Sequence, residues 1–274
     1  MRAALRLMHM SQRENEFVGS IYSHDGTLVH YKVIGKEPTA VVFVHGWCCN
    51  HTFWDKQLRY FSKEYTVATL DLGGHGKSGL GRSSWTMDAF GEDVVAVIKE
   101  LDLQEIVLIG HSMGGPVILE AACQMPERVA GVVGADTFHN VGKVLSNQEA
   151  AEKVSHAKRE HKKALNEAAR AMFLPTSNPF LVETVVDQMM ATDPEIALDA
   201  IHSLFIYDYR RSLRKLKIPK IAINSDQYNA TNIEAANEYG IKVILMPAVG
   251  HFVMMEDSDT FNNLLHEEVQ QIFS

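Results

Sequence analysis

The feature that most constrains this chain is a run of fifteen residues. Ile106-Val107-Leu108-Ile109 passes directly into Gly110-His111-Ser112-Met113-Gly114-Gly115 and then into Pro116-Val117-Ile118-Leu119-Glu120. The first segment is short, apolar and bounded by glycine, as a buried strand is; the last reads as a helix. Between them stands G-x-S-x-G. A serine on so sharp a strand-to-helix turn is thrust out at the sheet edge with its hydroxyl exposed, and small residues on either side let the backbone fold that tightly. Ser112 is therefore the candidate nucleophile. It also opens a helix, where unsatisfied N–H groups favour negative charge, so the N–H of Met113 is a candidate donor to a developing oxyanion.

The rest of the chain repeats the strand-helix theme. Glu16 to Ser23 and Thr27 to Ile34 flank Asp25-Gly26, a dipeptide suited to a tight hairpin. Buried-strand runs follow at Ala40 to Val44, Thr66 to Leu70, Ile106 to Ile109, Val129 to Ala135, Ile221 to Asn224 and Lys242 to Met246. Helical spacing of Phe90, Val94, Val97, Ile98 and Leu101 marks a helix over Met87 to Leu101. Alternation of this kind predicts a parallel sheet covered on both faces. From about Asn140 to Leu216 no strand is evident. Asn147 to Phe173 reads as helix, Pro175 and Pro179 break it, and Pro194 opens another helix toward Tyr209. The domain expectation is a leader over 1–15, a core over 16–139 and 217–274, and a helical lid over 140–216.

Composition removes several classes of function. A net charge of −8 lacks the clustered cations that grip phosphate backbones, so no nucleic acid partner is expected. The basic stretch from Lys158 to Lys163 is interleaved with an acid at helical spacing and reads as a solvated face. Three cysteines, with Cys48 and Cys49 adjacent, form no disulfide framework and no zinc spacing, which suits a reducing, cytoplasmic compartment. The opening residues have a cation inside a short apolar run and no small-residue cleavage site, a poor signal peptide. No apolar run reaches the roughly 18 residues of a membrane span.

With the elbow go three further motifs: His45-Gly46-Trp47 after the third strand, Asp71-Leu72-Gly73-Gly74-His75-Gly76-Lys77-Ser78-Gly79, and Val249-Gly250-His251-Phe252 near the end. Together they resemble the α/β-hydrolase superfamily, in its lid-bearing esterase, dehalogenase and C–C hydrolase branch, over nearly the whole chain after about residue 16. The resemblance implies a mostly parallel eight-stranded sheet with helices on both faces and a helical lid between strands six and seven. It also makes the backbone N–H of Trp47 the second oxyanion donor, a role that rests on position and not on the indole.

Serine needs a base within hydrogen-bond reach. Of thirteen histidines, His45, His75 and His111 fall in motifs where the ring is structural, and His251 alone follows a late strand in a glycine-bearing loop, so His251 is the candidate base. The acid is left between two residues, with a water-mediated arrangement as the remaining alternative. Relatives commonly carry it three residues after a glycine beyond the seventh strand, but anchoring on Ile218-Pro219 puts Ser225 at the glycine and Tyr228 at the aspartate. Asp226 lies two residues early, where its carboxylate is drawn back by roughly 7 Å if the strand continues. Asp136, at the end of the sixth strand, is the alternative site and the preferred one. Asp71 and Asp88 read as turn and cap residues.

No histidine or carboxylate pair sits at metal-ligand spacing and no loop has the G-x-G-x-x-G form, so neither metal nor cofactor is expected. The expected substrate is a small or medium, largely uncharged carboxylic ester, held near apolar Trp47, Met113, Phe138 and Phe252, with Met172, Phe173 and Phe205 from the lid. Serine at the elbow argues against dehalogenase and epoxide hydrolase chemistry. A C–C bond hydrolase with the same triad and a slow or inert ligand-binding receptor are the alternatives, and the assembly is expected to be a monomer or homodimer.

Overall fold

A computed structural model describes residues 16–274; the leader expected over 1–15 lies outside the described residues. Eight strands form one sheet: β1 (Glu16–Tyr22), β2 (Leu28–Ile34), β3 (Thr39–Val44), β4 (Thr66–Leu70), β5 (Glu105–His111), β6 (Val129–Ala135), β7 (Lys220–Ser225) and β8 (Ile241–Met246). Their spatial order is β1-β2-β4-β3-β5-β6-β7-β8. β1–β2 and β2–β4 pair antiparallel and every other pair is parallel. All eight strands lie where the apolar runs and the Asp25-Gly26 hairpin place them.

Period-two alternation sorts side chains between two cores. Val42, Val44 and Leu108 enter the apolar cluster on one face, Val41, Phe43, Val107 and Ile109 that on the other. The first face is covered by α2 (Met87–Glu100) and α3 (Gly114–Gln124), the second by α1 (Asp55–Phe61) and, at the C-terminus, by α11 (Ser258–Phe273). The N-cap of α2 is Thr86, and Asp88 stands in its first turn.

The chain runs from β3 outward to β4, then returns to β5 on the other side of β3. That reversal opens a crevice beyond the carboxyl ends of β3 and β5, the place where open α/β sheets bind ligands. The loops after β3, β5 and β6 all emerge there.

Between β6 and β7 the chain inserts α4 (Asn147–Arg159), α5 (His161–Ala171), α6 (Pro179–Met189), α7 (Pro194–Ile206) and α8 (Tyr209–Lys215). Ser146 and Glu149 form a capping box on α4, and Pro179 and Pro194 each occupy a first helical turn behind an Asn178 or Asp193 cap. The one long helix expected over Asn147 to Phe173 is two: Glu160, at φ −133° and ψ 51°, breaks it. No glycine or proline marks that break in the sequence. Among the described residues no helix is long and apolar enough to cross a membrane.

Candidate active site

Ser112 sits at φ 51°, half-buried, between β5 and α3. Left-handed backbone costs a non-glycine residue about 1–3 kcal/mol and persists only where surrounding structure enforces it. Six such residues are described, and five belong to the loops of this edge: Cys48, Ser112, Asp136, Phe138 and Ala248. The loop after β3 crosses the elbow closely. A Cβ on Gly46 would lie 2.8 Å from His111 Nδ1 and 3.2 Å from Ser112 Cβ. Neither the Trp47 N–H nor the Met113 N–H has a backbone acceptor among the described residues.

Asp136 is held from several sides. Its own N–H donates to the Ile223 carbonyl (2.9 Å), its Oδ1 accepts the Ser225 N–H (2.7 Å), and its Oδ2 lies 2.5 Å from His251 Nδ1. His139 Nε2 is a further 3.5 Å neighbour of Oδ2. Burial works against ionisation of Asp136, but the His139 and His251 rings more than reverse it and hold the carboxyl well below the usual range. The carboxylate must accept the Nδ1 hydrogen of His251, which leaves Nε2 of that ring with a lone pair.

Ser112 reaches this dyad through its neighbours. Its N–H donates to the Ala135 carbonyl (3.0 Å), one residue before Asp136. The His111 ring lies 4.6 Å from the His251 ring, and its Nε2 donates to the His251 carbonyl (3.0 Å). No hydrogen bond joins Ser112 Oγ to His251 among the described residues; such contacts commonly tighten only when substrate binds.

The structure brings Asp136 to His251, and not Asp226. Asp226 is exposed at the end of β7, its N–H bonded to the Met246 carbonyl, so it points to solvent and is not withdrawn toward the sheet interior. Where the commoner aspartate would stand, Tyr228 lays its ring 4.8 Å from that of His251. His45 and His75 are buried. His45 Nδ1 donates to the Gly46 carbonyl and Nε2 accepts the Leu72 N–H, and burial lowers its pKa to about 3. Cys48 and Cys49 are buried free thiols, and burial raises both.

Of the expected apolar lining, Phe252 and Phe173 stack on each other at 5.0 Å inside the core, and Phe138 is buried edge-on to Tyr209. Trp47 is half-buried, and its indole N–H donates to the Ala197 carbonyl of α7 (2.7 Å). Two shallow depressions elsewhere, one bordered by Ile21, Val95 and Lys99 and the other by Leu213, Lys217 and Tyr239, carry none of these residues.

His30, His51 and Asp71 converge, with ligand-type atoms within 4.8 Å of one another. Among the described residues they are the ones that could hold a cation, a grouping invisible in sequence spacing. Asp71 is already committed: its Oδ1 accepts the His51 N–H and ring, its Oδ2 the Lys77 N–H, which pins the turn from Asp71 to Gly79.

A family model described as alpha/beta hydrolase fold matches residues 39–182, more than half of the chain. The chain belongs to the α/β-hydrolase-fold family. It is 38% identical to a non-heme chloroperoxidase of Streptomyces lividans over 42% of this chain and 43% of that one, so the match spans under half of that relative. It is 27% identical to 3-oxoadipate enol-lactonase 2 of Acinetobacter baylyi over 75% of this chain and 78% of the relative. A thermophilic esterase from Thermogutta terrifontis superposes with a TM-score of 0.83 at 22% identity, over 94% of this chain and 99% of the other.

Several residues that shape the site of this α/β-hydrolase-fold protein were not legible in its sequence. Ser225 Oγ accepts the N–H groups of Gln227 (3.0 Å) and Tyr228 (2.9 Å) and donates to the Val249 carbonyl (2.7 Å), tying the loop after β7 to the His251 loop. Glu256, in the short helix α10 (Val253–Glu256), accepts the Gly250 N–H (3.0 Å) and the Ser177 hydroxyl (2.5 Å). The His251 N–H donates to the Met172 carbonyl (2.8 Å). A serine replacing the usual glycine at 225 was the available signal.

Proposed function

We propose that this protein is a cofactor-free serine hydrolase that cleaves small or medium carboxylic esters through an acyl-enzyme. The observation that carries the reading is the Asp136–His251 hydrogen bond at the sheet edge where the Ser112 elbow emerges.

With Nδ1 committed to Asp136, Nε2 of His251 takes the Ser112 hydroxyl proton as the oxygen attacks the acyl carbonyl. The resulting oxyanion is met by the N–H groups of Trp47 and Met113; a donor of this kind contributes roughly 10²–10³ in rate. His251 then protonates the leaving alkoxide, the acyl-serine remains, and water activated by the same imidazole releases the acid and restores Ser112. The helical insertion over 140–216 acts as a lid on the core over 16–139 and 217–274, and through the Trp47–Ala197 bond it bears on the loop that carries one oxyanion donor. An enol-lactone, the substrate class in the name of the Acinetobacter relative, is an ester whose two products stay tethered, so the same cycle covers it.

The test is a series of p-nitrophenyl acyl esters of graded length. Turnover that disappears in Ser112→Ala is expected. Turnover unchanged in that variant would overturn the assignment, and tight binding of small molecules without turnover would favour a receptor.

A further inference from the structure

Asp136 is flanked by two imidazoles, and only one of them is used in the proposed cycle. Resting on that reading, we infer that His139 is a positioning residue that presents a fixed Nε2–H to Asp136 and so limits how strongly the carboxylate holds the His251 proton.

The tautomer is assigned from the hydrogen bonds that begin in β7 together with the charge that Nε2 faces. Asn224 is buried, and its Oδ1 accepts the Thr137 N–H (3.1 Å). That fixes the amide orientation, so its Nδ2 donates to the Thr137 carbonyl (2.9 Å) and to Thr231 Oγ1 (2.9 Å). With its oxygen accepting from Asn224, the Thr231 hydroxyl hydrogen is free to point at His139 Nδ1, 3.0 Å away. Nδ1 is then an acceptor and Nε2 carries the hydrogen. The other end agrees: Nε2 faces Asp136 Oδ2 at 3.5 Å, where a lone pair would meet negative charge and a hydrogen meets it favourably. At that length Nε2 makes no hydrogen bond, and the interaction is that of an N–H dipole close to a buried charge, which a low-dielectric setting screens little. The backbone is held as well, since the Asn232 N–H donates to the His139 carbonyl (2.8 Å).

A carboxylate that shares its charge with a second donor is a weaker acceptor toward the first. Removing His139 therefore strengthens the hold of Asp136 on the His251 imidazolium, and the base titrates at higher pH. Among the described residues, the other ionisable rings packed on His251 are His111 from the end of β5 and Tyr228 from the loop after β7. Both stay in place in the variants below, as does Glu256, which binds the backbone beside His251.

Imidazole 1H–15N spectra of the wild-type protein, titrated with pH, read the tautomer without substitution and without turnover. The expected result is His139 as the Nε2–H form. In His139→Phe the His251 midpoint is expected to rise by about 0.5–1 pH unit, with the acid limb of kcat/KM moving by the same amount. His139→Gln, which keeps a donor there, should restore most of the difference. An Nδ1–H tautomer in the wild type, or a His251 midpoint that stays put in a folded His139→Phe, would overturn the inference. Loss of ester turnover in the wild type would instead strike the proposed function and leave the spectroscopic result standing.

Discussion

At the scale of single residues, what sets this site apart is where its carboxylate comes from. Asp136→Asn should lower kcat by roughly 10⁴, the effect of leaving a base in the wrong tautomer, while Asp226→Asn should leave kcat near the wild-type value. Steady-state kinetics of the two variants on one ester checks this, and the reverse pattern would contradict it. The sequence preferred Asp136 but left Asp226 open. Its limit was physical: Asp136 and Asp226 both follow strand ends in the order serine, aspartate, histidine, and which reaches His251 depends on loop path. That path is set by the positive φ of Asp136 and by Ser225, whose hydroxyl gathers the N–H groups of Gln227 and Tyr228. Ser112 and His251 stand out in the sequence as candidates because each sits in a local pattern, an elbow and a glycine-bearing loop, that needs no knowledge of distant residues.

Among the elements, α3 and the loop after β6 are fitted to each other. A Cβ on Gly115 would meet the Thr137 side chain, with Cγ2 at 2.7 Å, so Gly115→Ala pushes the first turn of the elbow helix against the loop that carries Asp136. A loss of about 1–3 kcal/mol in urea unfolding is expected, as for other overpacked cores, together with a lower kcat. An unchanged stability and rate would show that the loop yields freely. The inserted helices touch the core by specific bonds. Trp47→Phe deletes the donor to the Ala197 carbonyl at a cost of about 0.5–1.5 kcal/mol, and KM should rise more for long acyl chains than for acetate. Strands and proline-capped helices were plain in the sequence, since apolar runs and caps are local. The break at Glu160 and the stacking of Phe173 on Phe252 were not, because both are decided by packing between segments far apart in the chain.

For the whole molecule, buried neutral histidines make stability depend on acid. Burial lowers His45 and His111 to about 3 and His75 to about 4 from an ordinary 6.5. The unfolded chain binds these protons below pH 6.5 and the folded chain does not, so their contribution is complete above that pH and is lost as pH falls toward 4 and 3. Each group removes about 1 kcal/mol between pH 6.5 and 5.5 and approaches about 1.4 kcal/mol per pH unit below that, so Tm should drop by about 5 °C between pH 6.5 and 5.5 and little between pH 8 and 7. Asp71, lowered to about 2 by His51 and its N–H partners against the opposing effect of burial, adds its loss only below about pH 3.8. Scanning calorimetry across that range is the check, and a Tm that stays level to pH 5 would mean these rings are protonated in the fold. The central claim, that Ser112 is an activated nucleophile, is tested most directly by reacting the protein with a fluorophosphonate and locating the adduct by peptide mass spectrometry. One adduct per chain on the peptide containing Ser112, absent in Ser112→Ala and strongly slowed in Asp136→Asn, is the expected result; an unlabelled protein, or an adduct on another residue, would contradict it.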